Sequence, residues 1–96
     1  MVRCSVQFEW DAVKAQGNVV RHGVSFEDAL SVFGDPLATT IRDPDHSLDE
    51  ERFLTTGVSK GQRLIIVSHT EREGRLRIIS APAVTAAERR QYESGE

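Results

Sequence analysis

The sequence predicts an α+β domain in which two N-terminal helices precede a small antiparallel sheet and a short helix ends the chain. Between residues 11 and 36, apolar residues recur at helical spacing. From residue 37 onward, β-branched and alternating residues predominate. Short polar connections containing glycine separate these later segments, as in antiparallel hairpins. The expected order of elements is therefore β-α-α-β-β-β-β-α.

The first strand and helix are predicted from the residues that precede Gly23. "SVQFEW" alternates as a short strand does, and Asp11 follows it as a suitable helix N-cap. Gly23 is a natural left-handed residue just beyond a helix end. His22 is therefore expected in the last turn of the first helix.

A second helix is predicted to begin at Ser25, since Asp28 three positions later resembles the second half of a capping box. One apolar face then repeats at the i, i+3, i+4, i+7 spacing. Its members are Phe26, Ala29, Leu30 and Phe33. The helix is expected to end at "GDP".

Four more strands and a last helix complete the expected fold. The strands are predicted at 37–41, 52–58, 63–70 and 75–81. "SKGQ" and "EREG" join the last three, which should form an antiparallel meander. Thr85 and Glu88 form a T-x-x-E capping box that predicts a C-terminal helix through "RRQY".

Length, cysteine usage and charge narrow the class of protein. The 96 residues suit one domain, 1–96, and the lone Cys4 excludes an internal disulfide framework. The N-terminus lacks the apolar core of a signal peptide, so a cytoplasmic location is expected. Residues 1–50 carry 4 Lys or Arg against 9 Asp or Glu, a net charge of −5, whereas residues 51–96 carry 8 against 6, a net charge of +2. A polyanion site is therefore expected in the second half.

The acidic segment "DPDHSLDEE" contains five side chains able to bind a metal ion. They are Asp43, Asp45, His46, Asp49 and Glu50. Their spacing fits neither an EF-hand nor a zinc motif, and an acidic stretch flanked by proline is ordinarily a hydrated loop. We expect no metal site and no cofactor.

Long segments of the chain resemble the BrnT family. The resemblance is carried by "FEWDAVKAQGNVVRHGVSFEDALSVFGDP", "DPDHSLDEERFLTTGVS", "RLIIVSHT", "RIISA" and "ERRQYE". It implies a RelE-like fold and the ribonuclease activity of a bacterial type II toxin. It also implies a cognate BrnA-like antitoxin that folds on the toxin and represses their operon, so that DNA is contacted only through the complex.

Metal-free RNA cleavage requires three functional groups around the phosphate. The 2′-hydroxyl attacks its own phosphate, so a base must take its proton and an acid must protonate the departing 5′ oxygen. Cations must stabilise the charge that grows on the phosphoryl oxygens. Arginine suits this second role because its planar fork binds phosphate oxygens in pairs and keeps its charge.

Three arginines on predicted strands are candidates for phosphate contact. Arg75 and Arg77 are two residues apart and so share a face, which is either functional or merely solvated. The resemblance favours Arg77 as the catalytic cation and leaves Arg75 to RNA binding. Arg52 follows the acidic loop, where it contacts phosphate or pairs with Glu50 or Asp49.

Two further catalytic candidates are His22 and Tyr92. In the last helical turn the helix dipole stabilises protonated His22, which explains the residue structurally and also suits a general acid. Tyr92 either offers its hydroxyl near the phosphate or packs the final helix on the sheet. His69 and His46 are expected to be structural.

The remaining RNA-binding candidates are Lys14, Arg89 and Arg90. Lys14 and Asn18 share one side of the first helix, facing solvent or flanking the active groove. The resemblance implies a basic segment before "ERRQYE", but "PAVTAA" stands there without charge. Either Arg77, Arg89 and Arg90 suffice for RNA, or the chain is a weakened or silent toxin that acts as an antitoxin-binding module.

Overall fold

A five-stranded mixed sheet forms the centre of the protein, and two helices lie against one of its faces. The computed structural model describes residues 7–43 and 51–84. The strands are β1 Gln7–Trp10, β2 Thr39–Arg42, β3 Arg52–Val58, β4 Leu64–Arg72 and β5 Arg75–Ser80. The helices are α1 Ala12–His22 and α2 Phe26–Leu30, and a 3₁₀ helix, Ser31–Gly34, continues α2. The C-terminal helix predicted from Thr85 lies outside the described residues.

The strand order is β1-β5-β4-β3-β2, and one pairing differs from the expected antiparallel sheet. β3, β4 and β5 form the predicted antiparallel meander, and β2 pairs antiparallel with β3. β1, however, pairs parallel with β5, placing Trp10 opposite Ile78. The expectation of an all-antiparallel sheet was wrong because alternation identifies a strand without specifying the direction of its neighbour.

Both predicted ends of α1 are confirmed. The Asp11 carboxylate accepts a hydrogen bond from the Val13 N–H at 2.8 Å, and Gly23 adopts the left-handed conformation with φ of 69°. His22 lies in the last turn, as expected. The Arg63 guanidinium donates to the carbonyls of Gly23 and His22 at 2.7 and 3.3 Å. A side chain distant in sequence therefore satisfies acceptors that the end of the helix leaves open.

The second helix begins where expected but is shorter than its apolar pattern suggests. Ser25 caps it by accepting from the Asp28 N–H at 3.0 Å. The α-helix ends at Leu30, and the tighter 3₁₀ turn carries Phe33 instead. Ser31 contributes to this change because its hydroxyl donates to the Asp28 carbonyl and accepts from the Lys60 N–H.

Asp28 does not complete the expected capping box. Its carboxylate instead accepts from the Ser59 hydroxyl at 2.8 Å and from the Gly61 N–H at 3.1 Å. Both partners belong to the turn between β3 and β4. The side chain therefore ties α2 to a hairpin turn rather than to its own N-cap.

The hydrophobic core fills the space between the helices and one sheet face. Its buried members are Val24, Phe26, Ala29, Val32, Ile65, Val67, Ile78 and Ala81. Trp10 meets Phe26 edge-on at 5.8 Å between ring centroids, and Phe33 meets His69 at 5.1 Å. Because neighbouring strand residues point to opposite faces, the residues adjacent to Trp10, His69 and Ile78 in sequence lie on the face away from the helices.

Asn18 connects α1 to this core, which excludes the expectation that it faces solvent. It is 1% exposed, and its amide donates to the carbonyls of Val24 and Ala81 at 2.9 Å each. Its oxygen accepts from the Ala81 N–H at 3.1 Å. The side chain thus joins α1, the turn before α2 and the end of β5.

No helix within residues 7–43 and 51–84 has the length and apolar character needed to cross a membrane.

Candidate functional site

Four side chains lie in one row across the sheet, on the face away from the helices. Arg52 of β3 lies opposite Thr70 of β4. Thr70 in turn lies opposite Arg77 of β5, whose other neighbour is Glu9 of β1. Adjacent strands are about 4.8 Å apart, so the row spans about 14 Å. We call Arg52, Thr70, Arg77 and Glu9 the arginine row.

Arg77 is held by a carboxylate on the neighbouring strand. Its Nη1 donates to Glu9 Oε2 at 3.1 Å, and Nη1 of Arg75 lies 3.5 Å from Glu9 Oε1. The two arginines therefore share a face, as their spacing predicted. The Arg77 side chain is 26% exposed and that of Arg75 is 53% exposed. Arg77 is thus the more closely constrained of the two cations.

The same contacts keep Glu9 ionised. The hydrogen bond from Arg77 lowers the pKa of Glu9, burial opposes this effect, and Arg75 adds to the lowering. Glu9 is therefore a carboxylate at neutral pH, flanked by two guanidinium groups. Sequence reasoning missed this residue because only the parallel β1–β5 pairing brings it beside Arg77.

Arg52 and Thr70 form the other half of the row. Thr70 is 2% exposed, and its hydroxyl donates to the Glu51 carbonyl at 2.6 Å. This bond fixes the backbone immediately before Arg52, whose side chain is partly buried. The Glu51 carboxylate itself lies 3.5 Å from Arg42. Glu50 and Asp49, the alternative partners expected for Arg52, lie outside the described residues.

The structure does not bring His22 or Lys14 to the row. His22 is exposed at the end of α1, where its carbonyl contacts Arg63, the residue before β4. Thr70 is seven residues further along this strand segment, a distance of about 23 Å at 3.3 Å per residue. Lys14 is exposed on α1, which packs against the opposite sheet face.

His69 is buried beside the core, which is consistent with the structural role expected for it. It is 7% exposed, and its Nε2 lies 2.7 Å from the Thr55 hydroxyl, which in turn lies 2.7 Å from that of Thr40. Phe53 stacks on its ring, and Phe33 meets it edge-on. Burial lowers the pKa of His69, so the imidazole is neutral at pH 7.

Several expected site residues fall outside the part of the chain that the structure describes. They are Tyr92, Arg89 and Arg90; His46, expected to be structural, also lies outside the described residues. Among residues 7–43 and 51–84, no three His, Cys, Asp or Glu side chains come together in a way that could hold a metal ion. The site in the described residues therefore consists of arginine side chains around one carboxylate. The arginines attract a phosphodiester, and the carboxylate is a proton acceptor beside it.

The fold and this surface define a small α+β domain with an arginine-lined sheet face. Residues 10–88 match the family described as the ribonuclease toxin BrnT of type II toxin-antitoxin systems, and the chain belongs to this family. The resemblance seen in the sequence is thereby confirmed.

A solved structure agrees with the fold. The chain is similar to the ribonuclease toxin BrnT of Brucella abortus at a TM-score of 0.62, with 21% sequence identity. The match covers 84% of this chain and 99% of that one. A comparison with curated proteins found no match.

Proposed function

We propose that the protein is an endoribonuclease toxin that cleaves RNA without a metal ion, inhibits translation in the bacterial cytoplasm and is neutralised by a BrnA-like antitoxin. Membership of the BrnT family over residues 10–88 supports the activity class. The observation that supports the site most directly is the Arg77 guanidinium, which is 26% exposed and is held by Glu9 on the sheet face. The RelE-like relationship of the fold stays a prediction.

Arg77 is the proposed cation for the scissile phosphate. Glu9 engages only its Nη1, and among the described residues no other contact uses the rest of this guanidinium. The remaining N–H groups form the fork that binds two phosphoryl oxygens. Arg52, in the same row, is the proposed second cation, and Arg75 contacts the adjoining RNA backbone.

The other candidates have weaker support. Tyr92, Arg89 and Arg90 are proposed to reach the row from the C-terminal helix, which stays a prediction. The distance between the row and the end of α1 argues against His22 as the general acid at the same phosphate. Lys14 is proposed to contact RNA at a position remote from the cleaved bond. A cation there adds affinity without sequence specificity.

Cleavage is expected to be independent of divalent metal and to leave a 2′,3′-cyclic phosphate. The 2′-hydroxyl is the available nucleophile, and the proposed stabilising charges come from arginine. Purified toxin should cleave single-stranded RNA equally well in buffer and in excess EDTA, with product ends identified by mass spectrometry. Loss of cleavage in EDTA that magnesium restores, on an RNA whose structure needs no magnesium, would contradict this mechanism.

An alternative function is an antitoxin-binding module without RNA cleavage. It is favoured by the uncharged "PAVTAA" segment, which supplies no phosphate contact where the family resemblance implies basic residues. Induced expression without antitoxin distinguishes the two functions. Growth arrest accompanied by RNA loss supports the enzyme, whereas normal growth with detectable soluble toxin supports the binding module.

The antitoxin is expected to bind over the basic second half of the chain. An acidic or helical segment placed on β3–β5 would neutralise the +2 charge of this half and cover the arginine row. Hydrogen exchange on the complex should show protection in β3, β4 and β5 beyond that of free toxin. Protection confined to α1 and α2 would show that the antitoxin acts at another surface.

A further inference from the structure

The proposed reaction needs a proton acceptor near Arg77, and neither described histidine is placed to serve. His22 lies near the opposite end of β4, and the His69 ring is buried on the helix-covered face. Glu51 contacts Arg42 instead. Glu71 follows Thr70 in β4, so its side chain points to the opposite face of the sheet from the arginine row. Among the described residues, Glu9 is the acidic side chain that contacts Arg77.

The position of Glu9 suits proton transfer from a nucleotide bound at Arg77. Each of its carboxylate oxygens faces a different arginine, and the side chain remains 25% exposed. A phosphate on the N–H groups of Arg77 that Glu9 does not engage would lie two hydrogen bonds from Glu9, or about 6 Å. The 2′-hydroxyl is attached to the carbon next to the one that bears this phosphate, so a nucleotide held at Arg77 has its nucleophile close to the Glu9 carboxylate when its ribose turns toward β1.

Resting on the proposed ribonuclease function, we infer that Glu9 is the general base of the reaction. Glu9 takes the proton of the 2′-hydroxyl as the 2′ oxygen forms its bond to phosphorus. The bond between phosphorus and the 5′ oxygen breaks, and that oxygen takes a proton from water. The products are a 2′,3′-cyclic phosphate and a 5′-hydroxyl, and the proton on Glu9 passes to the hydroxide that remains.

The ionisation state of Glu9 is consistent with this role. Arg77, followed by Arg75, keeps the pKa of Glu9 below its ordinary value, so the acceptor form is present at neutral pH. The charged groups that face Glu9 among the described residues are these two arginines of β5. Protonation of Glu9 removes the proton acceptor, so the activity is expected to fall at acidic pH.

The test is single-turnover RNA cleavage by Glu9→Gln across the pH range, with Glu27→Gln as the matched control. Glu27 is an exposed carboxylate on α2, remote from the row. Glu9→Gln should lower the rate about 100-fold and abolish its fall at acidic pH, because an amide cannot accept the proton. Glu27→Gln should match the wild type. Wild-type rates and an unchanged acidic limb in Glu9→Gln would overturn the inference.

Adding small carboxylates to a Glu9 variant distinguishes two roles for Glu9, that of a general base and that of a residue that only positions Arg77. In Glu9→Ala, acetate should restore more activity than formate at equal concentration of the ionised form, because a more basic acceptor transfers the proton faster. Equal restoration by both would assign Glu9 a positioning role and overturn the inference. Glu9→Asp, which keeps the carboxylate, should retain the acidic limb even if its rate is reduced. Absence of cleavage by the wild type would instead refute the proposed function itself.

Discussion

Replacing Arg77 with alanine should lower RNA cleavage by 100- to 1,000-fold, in line with the loss of one preorganised donor to a developing oxyanion. The side chain is fixed by Glu9 at 3.1 Å, so its fork is already oriented when the phosphate charge grows. Arg77→Lys should recover only part of the rate, since an ammonium group cannot form the bidentate contact. The measurement is single-turnover cleavage by purified, antitoxin-free variants, with thermal melts to exclude unfolding.

Two other arginines provide matched controls for this result. Arg75→Ala removes a guanidinium that also contacts Glu9 but is more exposed, so a smaller loss is expected. Arg72→Ala, at the last residue of β4, should act weakly and mainly through salt-sensitive encounter with RNA. Equal small losses for Arg77→Ala and Arg72→Ala would show that this sheet face is merely solvated.

Asn18→Ala should destabilise the fold by about 3 kcal/mol, equivalent to more than 100-fold in the unfolding equilibrium. The substitution leaves two buried carbonyls, of Val24 and Ala81, and the Ala81 N–H without their partner. Each such group costs about 1 to 3 kcal/mol, whereas alanine's better helix propensity returns only a few tenths. The melting temperature should fall by about 12 to 24 °C.

Gln16→Ala is the control for this stability prediction. Gln16 is exposed on the same helix, so its replacement should change the free energy of unfolding by less than about 0.5 kcal/mol. Urea unfolding of both variants, followed by circular dichroism, measures the difference. Similar midpoints for the two variants would mean that water satisfies the groups Asn18 leaves, and that this link between α1 and β5 is weak.

Local signals in the sequence predicted the element boundaries well. The helix-cap residues act through their immediate backbone neighbours, so their roles can be predicted from residue type and spacing. They are Asp11, Gly23 and Ser25. The "EREG" hairpin is equally local, since Glu73 and Gly74 both take positive φ, as its two-residue turn requires. The meander and the helix-cap residues could therefore be predicted before any tertiary contact was known.

The features that sequence reasoning missed all depend on contacts between distant segments. Glu9 becomes a site residue only because β1 joins the sheet beside β5, and nothing in "SVQFEW" specifies that neighbour. Asn18 resembles any polar helix residue until Ala81 closes over it. The separation of His22 from Arg77, two catalytic candidates, has the same cause, since helix signals do not state which end of the sheet a helix reaches.

The parallel pairing of β1 with β5 also determines when the arginine row can exist. Glu9 and Arg77 are 68 positions apart, so their contact closes a loop that includes most of the chain. Such contacts form late in folding, after the entropy of closing the loop has been offset by the hairpins between them. At about 5 to 20 residues per second, synthesis takes several seconds to proceed from Glu9 to Arg77. A nascent toxin is therefore without the arginine row until β5 has been made, and a prematurely terminated chain that ends before β5 never assembles the row.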